Sequence, residues 1–175
     1  NKNAEIMLFR GNIYFDKGME DSAYQDYIHV LKLQYVDAIA LGNLGAIYVK
    51  RNQLDSAVFY LSKSLKLDTN FATSFANRAV AYGGMGKWEE SIVDFKHYLS
   101  LKPNDERVFM SIAIAYQRSD RFKESLEWFD KAIKQKPEFG NYYYFRSQSY
   151  KSIGDRNMAL ADVLKARDLG VNVPP

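Results

Sequence analysis

Apolar residues recur along this chain at three- and four-residue spacing, so that Leu41, Leu44, Ile47 and Tyr48 share one face and Ala57, Leu61 and Leu65 share another. That is the period of amphipathic helices, not of strands. Between successive faces stand Gly18, Asn52, Gly86, Asp120 and Gly154, residue types that accept the left-handed backbone ending a helix. The pattern predicts helical hairpins. It also repeats, because Tyr14, Tyr48, Tyr82, Tyr116 and Tyr150 stand 34 residues apart. A fixed period of this size marks a chain whose units bury their apolar faces against one another.

With Ala4 as the first position, five units run over 4–37, 38–71, 72–105, 106–139 and 140–173 without insertion or deletion. Position 8 is always small (Gly11, Gly45, Ala79, Ala113, Ser147), and so is position 20 (Ala23, Ala57, Ser91, Ser125, Ala159). Small residues at matched points let two helices approach closely. Position 24 is bulky (Tyr27, Leu61, Phe95, Phe129, Val163), a knob for the next unit. Pro103 and Pro137 fall where a helix has to stop.

These columns resemble those of the tetratricopeptide repeat family, over residues 4–173, with Phe75 and Tyr143 standing where the family often has Trp. The resemblance implies an all-α fold: a single domain forming a right-handed superhelical solenoid of five helix-turn-helix units, with the first helices lining a concave groove. It further implies a non-catalytic scaffold that binds an extended peptide or partner segment in that groove. Two alternatives stay open: a structural oligomerisation module associating through its ends or convex face, and a regulatory domain of a larger protein.

Composition narrows this little. The chain has 175 residues, 47% of them hydrophobic and 26% charged, an ordinary globular balance. A net charge of +3 with cations and anions interleaved does not point to nucleic acid. Without cysteine there is no disulfide, thiol nucleophile or thiolate metal site. No apolar run reaches the roughly 18 residues needed to span a bilayer. The compartment stays open, with a soluble cytoplasmic protein as the expectation. A chain opening on Asn1 without Met reads as a piece of a longer one.

No catalytic constellation stands apart from the repeat columns, and neither a cofactor nor a metal is expected. His29 and His97 share position 26 of units one and three and read as surface residues. The segment 83–87 has the glycines and lysine of a phosphate loop, but Trp88 stands where Ser or Thr is required and Ala81 where the first Gly is. Gly86 reads as the turn.

In the family, positions 2, 5, 6, 9, 12 and 13 face the groove. Position 6 holds Asn43 and Asn77, and position 9 of the first unit holds Asn12. Asparagine is a poor interior helix residue carrying one acceptor and two donors, suited to clasping peptide amides. This resembles the asparagine ladder of peptide-binding members; the alternative is that these are tolerated solvent residues. Chaperone-binding members carry a clamp of two lysines, two asparagines and an arginine. Here Leu8 and Thr73 stand at the lysine positions and Asn77 at that of the arginine, so a terminal carboxylate would find no cation. Leu8, Val80, Met110 and Ile114, with Phe15, Ala46 and Val49, make the expected groove apolar. Arg107, Arg118 and Lys151 at one end oppose Glu5 and Asp16 at the other, and could orient a charged ligand. Tyr144 and Phe145 read as aromatic anchors, or as contacts of a further downstream helix.

The ends differ from the middle. Position 17 is Leu54, Trp88 and Phe122 in the inner units but Glu20 and Arg156 in the outer ones, and the tail 170–175 reads as too short to cover the last pair of helices. Homo-oligomerisation through uncapped ends is therefore among the expected partnerships.

Position 7 alternates Arg10, Leu44, Arg78, Ile112 and Arg146, while position 23 reads Asp26, Tyr60, Asp94, Trp128 and Asp162. Acid accompanies arginine and an aromatic accompanies its absence, which predicts contact between the two columns and bidentate ion pairs. Removing one partner of a half-buried pair leaves a charge uncompensated. Asp94→Ala is therefore expected to lower the melting temperature by about 5 °C or more. A thermal melt indistinguishable from wild type would remove the pairing argument.

Overall fold

The computed structural model describes residues 2–173; Asn1 at the chain start, and Pro174 and Pro175 at the end of the expected tail, lie outside the described residues. Among the described residues there are ten α-helices and no strand. They are α1 (Lys2–Asp16), α2 (Glu20–Lys32), α3 (Ala38–Lys50), α4 (Leu54–Leu67), α5 (Ala72–Gly84), α6 (Trp88–Leu101), α7 (Glu106–Arg118), α8 (Phe122–Gln135), α9 (Gly140–Ser152) and α10 (Arg156–Asp168). Contacts gather them into two compact units, Asn1–Lys87 and Trp88–Pro175, each taken by itself below.

The expected turn column ends the odd-numbered helices. Gly18, Asn52, Gly86, Asp120 and Gly154 all have positive φ, between 56° and 87°. In each turn the following N–H reaches back to the carbonyl of the periodic tyrosine: Met19 to Tyr14, Gln53 to Tyr48, Lys87 to Tyr82, Arg121 to Tyr116 and Asp155 to Tyr150, at 2.8–2.9 Å. This six-to-one bond satisfies a carbonyl that the helix end would otherwise orphan. At three helix starts an aspartate accepts backbone N–H groups: Asp37 before α3, Asp105 before α7 and Asp155 before α10.

In the first unit the bulky column enters the small one. Tyr27 and Leu61 are fully buried, and a Cβ placed on Gly45 would come within 2.5 Å of Leu61 Cγ. Ala23, Tyr27, Ala40, Leu44 and Ile47 form one core, and Ala57, Leu61 and Ala81 a second. Ser64 and Ser74 share a buried hydroxyl contact of 2.9 Å, and Ser64 also donates to the Ala38 carbonyl at 2.8 Å. In the second unit Phe109, Ala132 and Tyr142 form a core flanked by Leu99, Trp128 and Phe139.

The arginine–aspartate columns meet in both units. Arg10 grips Asp26 with two bonds of 2.8 and 2.7 Å, and Arg146 grips Asp162 with two of 2.7 Å. Arg146 also reaches Asp130 of α8 at 2.5 Å, as Arg78 reaches Ser62 of α4 at 3.0 Å. Burial alone would lower the Arg146 pKa, but Asp162 and Asp130 outweigh it and hold it above the usual value. Where arginine is missing, the aromatic finds another ring: Tyr60 lies parallel to Tyr48 at 5.2 Å, and Trp128 leans on Phe109 at 6.0 Å.

The tail covers more than its length suggests. Val171 donates to the Ala166 carbonyl at 3.0 Å, and a Cβ on Gly140 would meet Val171 Cγ2 at 2.6 Å. The start of α9 is thus closed by residues 169–171.

Two glycines separate packing from propensity. Gly45→Ala gains roughly 1 kcal/mol of helix propensity but drives a methyl into the branch point of buried Leu61, and overpacking of that kind costs about 1–3 kcal/mol. At exposed Gly84 the nearest atom is Leu54 Cδ1 at 2.8 Å, the end of a partly exposed chain that can turn aside. Urea titration should show Gly45→Ala destabilised and Gly84→Ala unchanged or more stable.

Candidate functional site

The eleven candidate groove residues divide between the two units. In the first, Leu8 and Asn12 lie on α1, Asn43 on α3, and Asn77 and Val80 on α5. A network ties the first two asparagines together through a side chain the sequence reading gave only a packing role. The Tyr27 hydroxyl donates to Asn12 Oδ1 at 2.9 Å and accepts from Asn43 Nδ2 at 2.9 Å, and that nitrogen lies 3.4 Å from the same Asn12 oxygen. Burial pushes the Tyr27 pKa up to about 12, against a smaller opposing effect of Asn43, so the phenol stays a donor at physiological pH.

Each carboxamide therefore has one end fixed and one end open. Among the described residues Asn12 Nδ2 and Asn43 Oδ1 make no hydrogen bond, and the half-buried side chain of Asn77 makes none at all. Val80 is exposed beside it on α5. Leu8 and Phe15 pack against the first core and Val49 against the second, while Ala46 is buried. These four supply walls more than free contact surface.

In the second unit Ile114 and Arg118 of α7 meet Phe145 of α9 around a cavity of about 220 Å³ that also takes in Gln117, Phe122 and Gln148. Gln117 donates to the Phe145 carbonyl at 2.7 Å and to Ser149 Oγ at 2.6 Å, and Ser149 contacts Ser125 at 2.6 Å. Gln117 holds the turn of α9 that carries Phe145, and the sequence reading passed it over. A polar residue at position 12, where the first two units have Phe15 and Val49, was the available signal.

The remaining candidates lie elsewhere in that unit. Arg107 bonds Asp105 at 3.2 and 3.3 Å beside a separate cavity of about 430 Å³ formed with Tyr98 and residues 102–106. The Arg107 guanidinium and the Tyr98 hydroxyl together hold the Asp105 pKa below the usual carboxylate value, against burial, which raises it. Met110 packs on the core. Tyr144, with its ring 5.5 Å from that of Phe145, lines a third cavity at the end formed by α9 and α10. Ile114, Arg118 and Phe145 are thus brought together, and Arg107 and Tyr144 are not among them.

Both histidines are exposed, on α2 and α6. Among the described residues no three His, Asp or Glu side chains converge as a metal site would require, and no helix is long and apolar enough to cross a membrane.

Comparison with known proteins agrees with this architecture. A family profile described as "Psidin, N-terminal TPR repeats region" matches residues 44–163, and one described as "Tetratricopeptide repeat" matches residues 4–37. No curated protein matches significantly in sequence. Among solved structures the chain is similar to MamA, in one described as MamA MSR-1 C2 at 20% identity, TM-score 0.88 and 97% of each chain covered. A second, described as "Crystal structure of MamA protein", gives 22% identity and TM-score 0.87 over 99% of each chain. A third, MamA AMB-1 C2221, gives 20% identity and TM-score 0.89 over 97% of this chain and 99% of that one. At these identities the likeness shows the fold alone, an all-helical repeat. The chain belongs to the tetratricopeptide repeat family, whose repeats serve as scaffolds for protein interaction.

Proposed function

We propose that this chain is a non-catalytic scaffold that binds an extended peptide segment of a partner protein, clasping its backbone with Asn12, Asn43 and Asn77. One observation carries the reading: two of these carboxamides are anchored at one end by Tyr27 and open at the other. A peptide bond offers one acceptor and one donor, and the open atoms, Asn12 Nδ2 and Asn43 Oδ1, offer the reverse. Anchoring removes rotamer freedom before the ligand arrives, which lowers the entropy lost on binding. Val80 adds exposed apolar surface on the same unit. On the other unit, the cavity between Ile114 and Phe145 suits an aliphatic side chain, with Arg118 beside it for a carboxylate.

Asn77 separates binding from folding, because its side chain makes no hydrogen bond among the described residues whereas Asn43 belongs to the Tyr27 network. Selection from a displayed library of peptides with free and blocked C-termini should yield a shared motif. Asn77→Ala should weaken a selected peptide about 5- to 10-fold with the melting temperature unchanged, the worth of one hydrogen bond. Asn43→Ala should weaken it and also lower the melting temperature. Enrichment that survives both substitutions together would sink the reading.

A further inference from the structure

Positions 3 and 10 of the second, third and fifth hairpins pack on the second helix of the hairpin before, and both columns are buried in the fourth hairpin as well. Position 3 is buried as Ala40, Ser74, Val108 and Tyr142, and position 10 as Ile47, Ala81, Ala115 and Ser149. The first hairpin breaks the rule: Ile6 at position 3 is 64% exposed and Ile13 at position 10 is 38% exposed. Two isoleucines therefore occupy, on the outer side of α1, the places that elsewhere contact a preceding second helix.

The other end shows the complementary gap. In the first hairpin Tyr24 and Tyr27, at positions 21 and 24, pack with Ala40, Leu44 and Ile47 of the next helix. At the same positions of the last hairpin, Leu160 is 59% exposed, Val163 is half-buried, and both line a cavity of about 280 Å³ with Tyr144 and Val173. Leu164, one turn on, is 50% exposed.

Charge favours a second copy of this chain as the occupant. Positions 13 and 17 of adjacent hairpins are neighbours: Lys50 pairs with Glu20, a Cβ on Gly84 would touch Leu54, and Ser152 and Phe122 border one cavity. At the chain's own ends these columns hold Asp16 and Arg156, an opposite-charge pair with the polarity of Lys50 and Glu20 reversed. Two further cross-hairpin ion pairs follow the repeat, Arg51 with Asp21 and Arg121 with Glu89. Their counterparts at the ends are Lys17 and Met19 against Asn157, so no like charges are brought together.

We propose that two copies associate head to tail, α1 of one seating Ile6 and Ile13 on the Leu160 and Leu164 face of the other, with Asp16 against Arg156. The contact repeats the rule of the internal junctions and is independent of the peptide groove. It is weaker than they are, because Arg10 at position 7 would meet Leu164 where Arg146 meets Asp130. One helix pair per side is also small beside the roughly 1,200–2,000 Å² of stable complexes. A head-to-tail contact leaves a free head and a free tail, so it propagates or closes into a ring.

The test uses sedimentation velocity on the whole chain from about 10 µM to about 1 mM, a range suited to weak interfaces. Wild type should gain mass with concentration. Ile6→Asp combined with Asp16→Lys blocks the head, and Leu160→Asp combined with Arg156→Glu blocks the tail; all four positions lie at exposed or rim sites, and circular dichroism checks that each variant folds. Each variant alone should stay a single chain, and an equimolar mixture should form a two-chain species and nothing larger. A wild type that stays one chain throughout overturns the proposal. So does either blocked variant that associates as wild type does, the signature of an end meeting its own kind, or a mixture that stays monomeric.

Discussion

A hairpin of two short helices cannot cover both of its apolar faces by itself, so each depends on the hairpin beside it, and the closeness of that approach sets the rest of the structure. How well a hairpin can meet its neighbour depends first on how closely its own two helices approach, and that is governed by the small column. Gly11 lies under the Tyr27 ring and Gly45 under Leu61. A knob with no room would hold the helices apart and open voids in a core that has to be densely packed. The tyrosine turn serves the same end, because a helix that overran its six-to-one bond would rotate the next helix off the face it has to cover.

Much of this was legible because a repeat states its rules several times over. Five turn residues with a shared conformational demand predict five left-handed turns, and all five have positive φ. The recurrence of Asp26 with Arg10 and of Asp162 with Arg146 could be read as contact because a carboxylate buried in a hairpin needs a cation beside it. The Tyr27 network was not legible, since the tyrosine sits in a column that elsewhere holds Leu61 and Phe129, and nothing in its spacing says where a hydroxyl will point. Gln117 was missed for a similar reason: it acts on the next hairpin, 28 and 32 residues away, and a column reading sees one hairpin at a time. A repeat column does not show which of its members share a cavity, so in the sequence Ile114, Arg118 and Phe145 look no different from Arg107 and Tyr144.

Repetition also creates a hazard, because hairpins built to one rule could pack in the wrong order. The buried polar pairs oppose this. Ser64 meets Ser74 at one junction and Ser125 meets Ser149 at another, the second extended by Gln117. Other hairpins carry apolar residues in two of these columns, Val30 and Ala132 at position 27 and Ile47 and Ala115 at position 10. A hairpin that set Ser74 against Val30 or Ala132 would leave its buried hydroxyl facing an apolar side chain, and an unsatisfied buried hydroxyl costs about 1–3 kcal/mol. Matched hydroxyls contribute little over matched apolar groups in the right register but penalise a register that sets one against an apolar side chain. Buried polar pairs thus help to set the order of units that share one architecture.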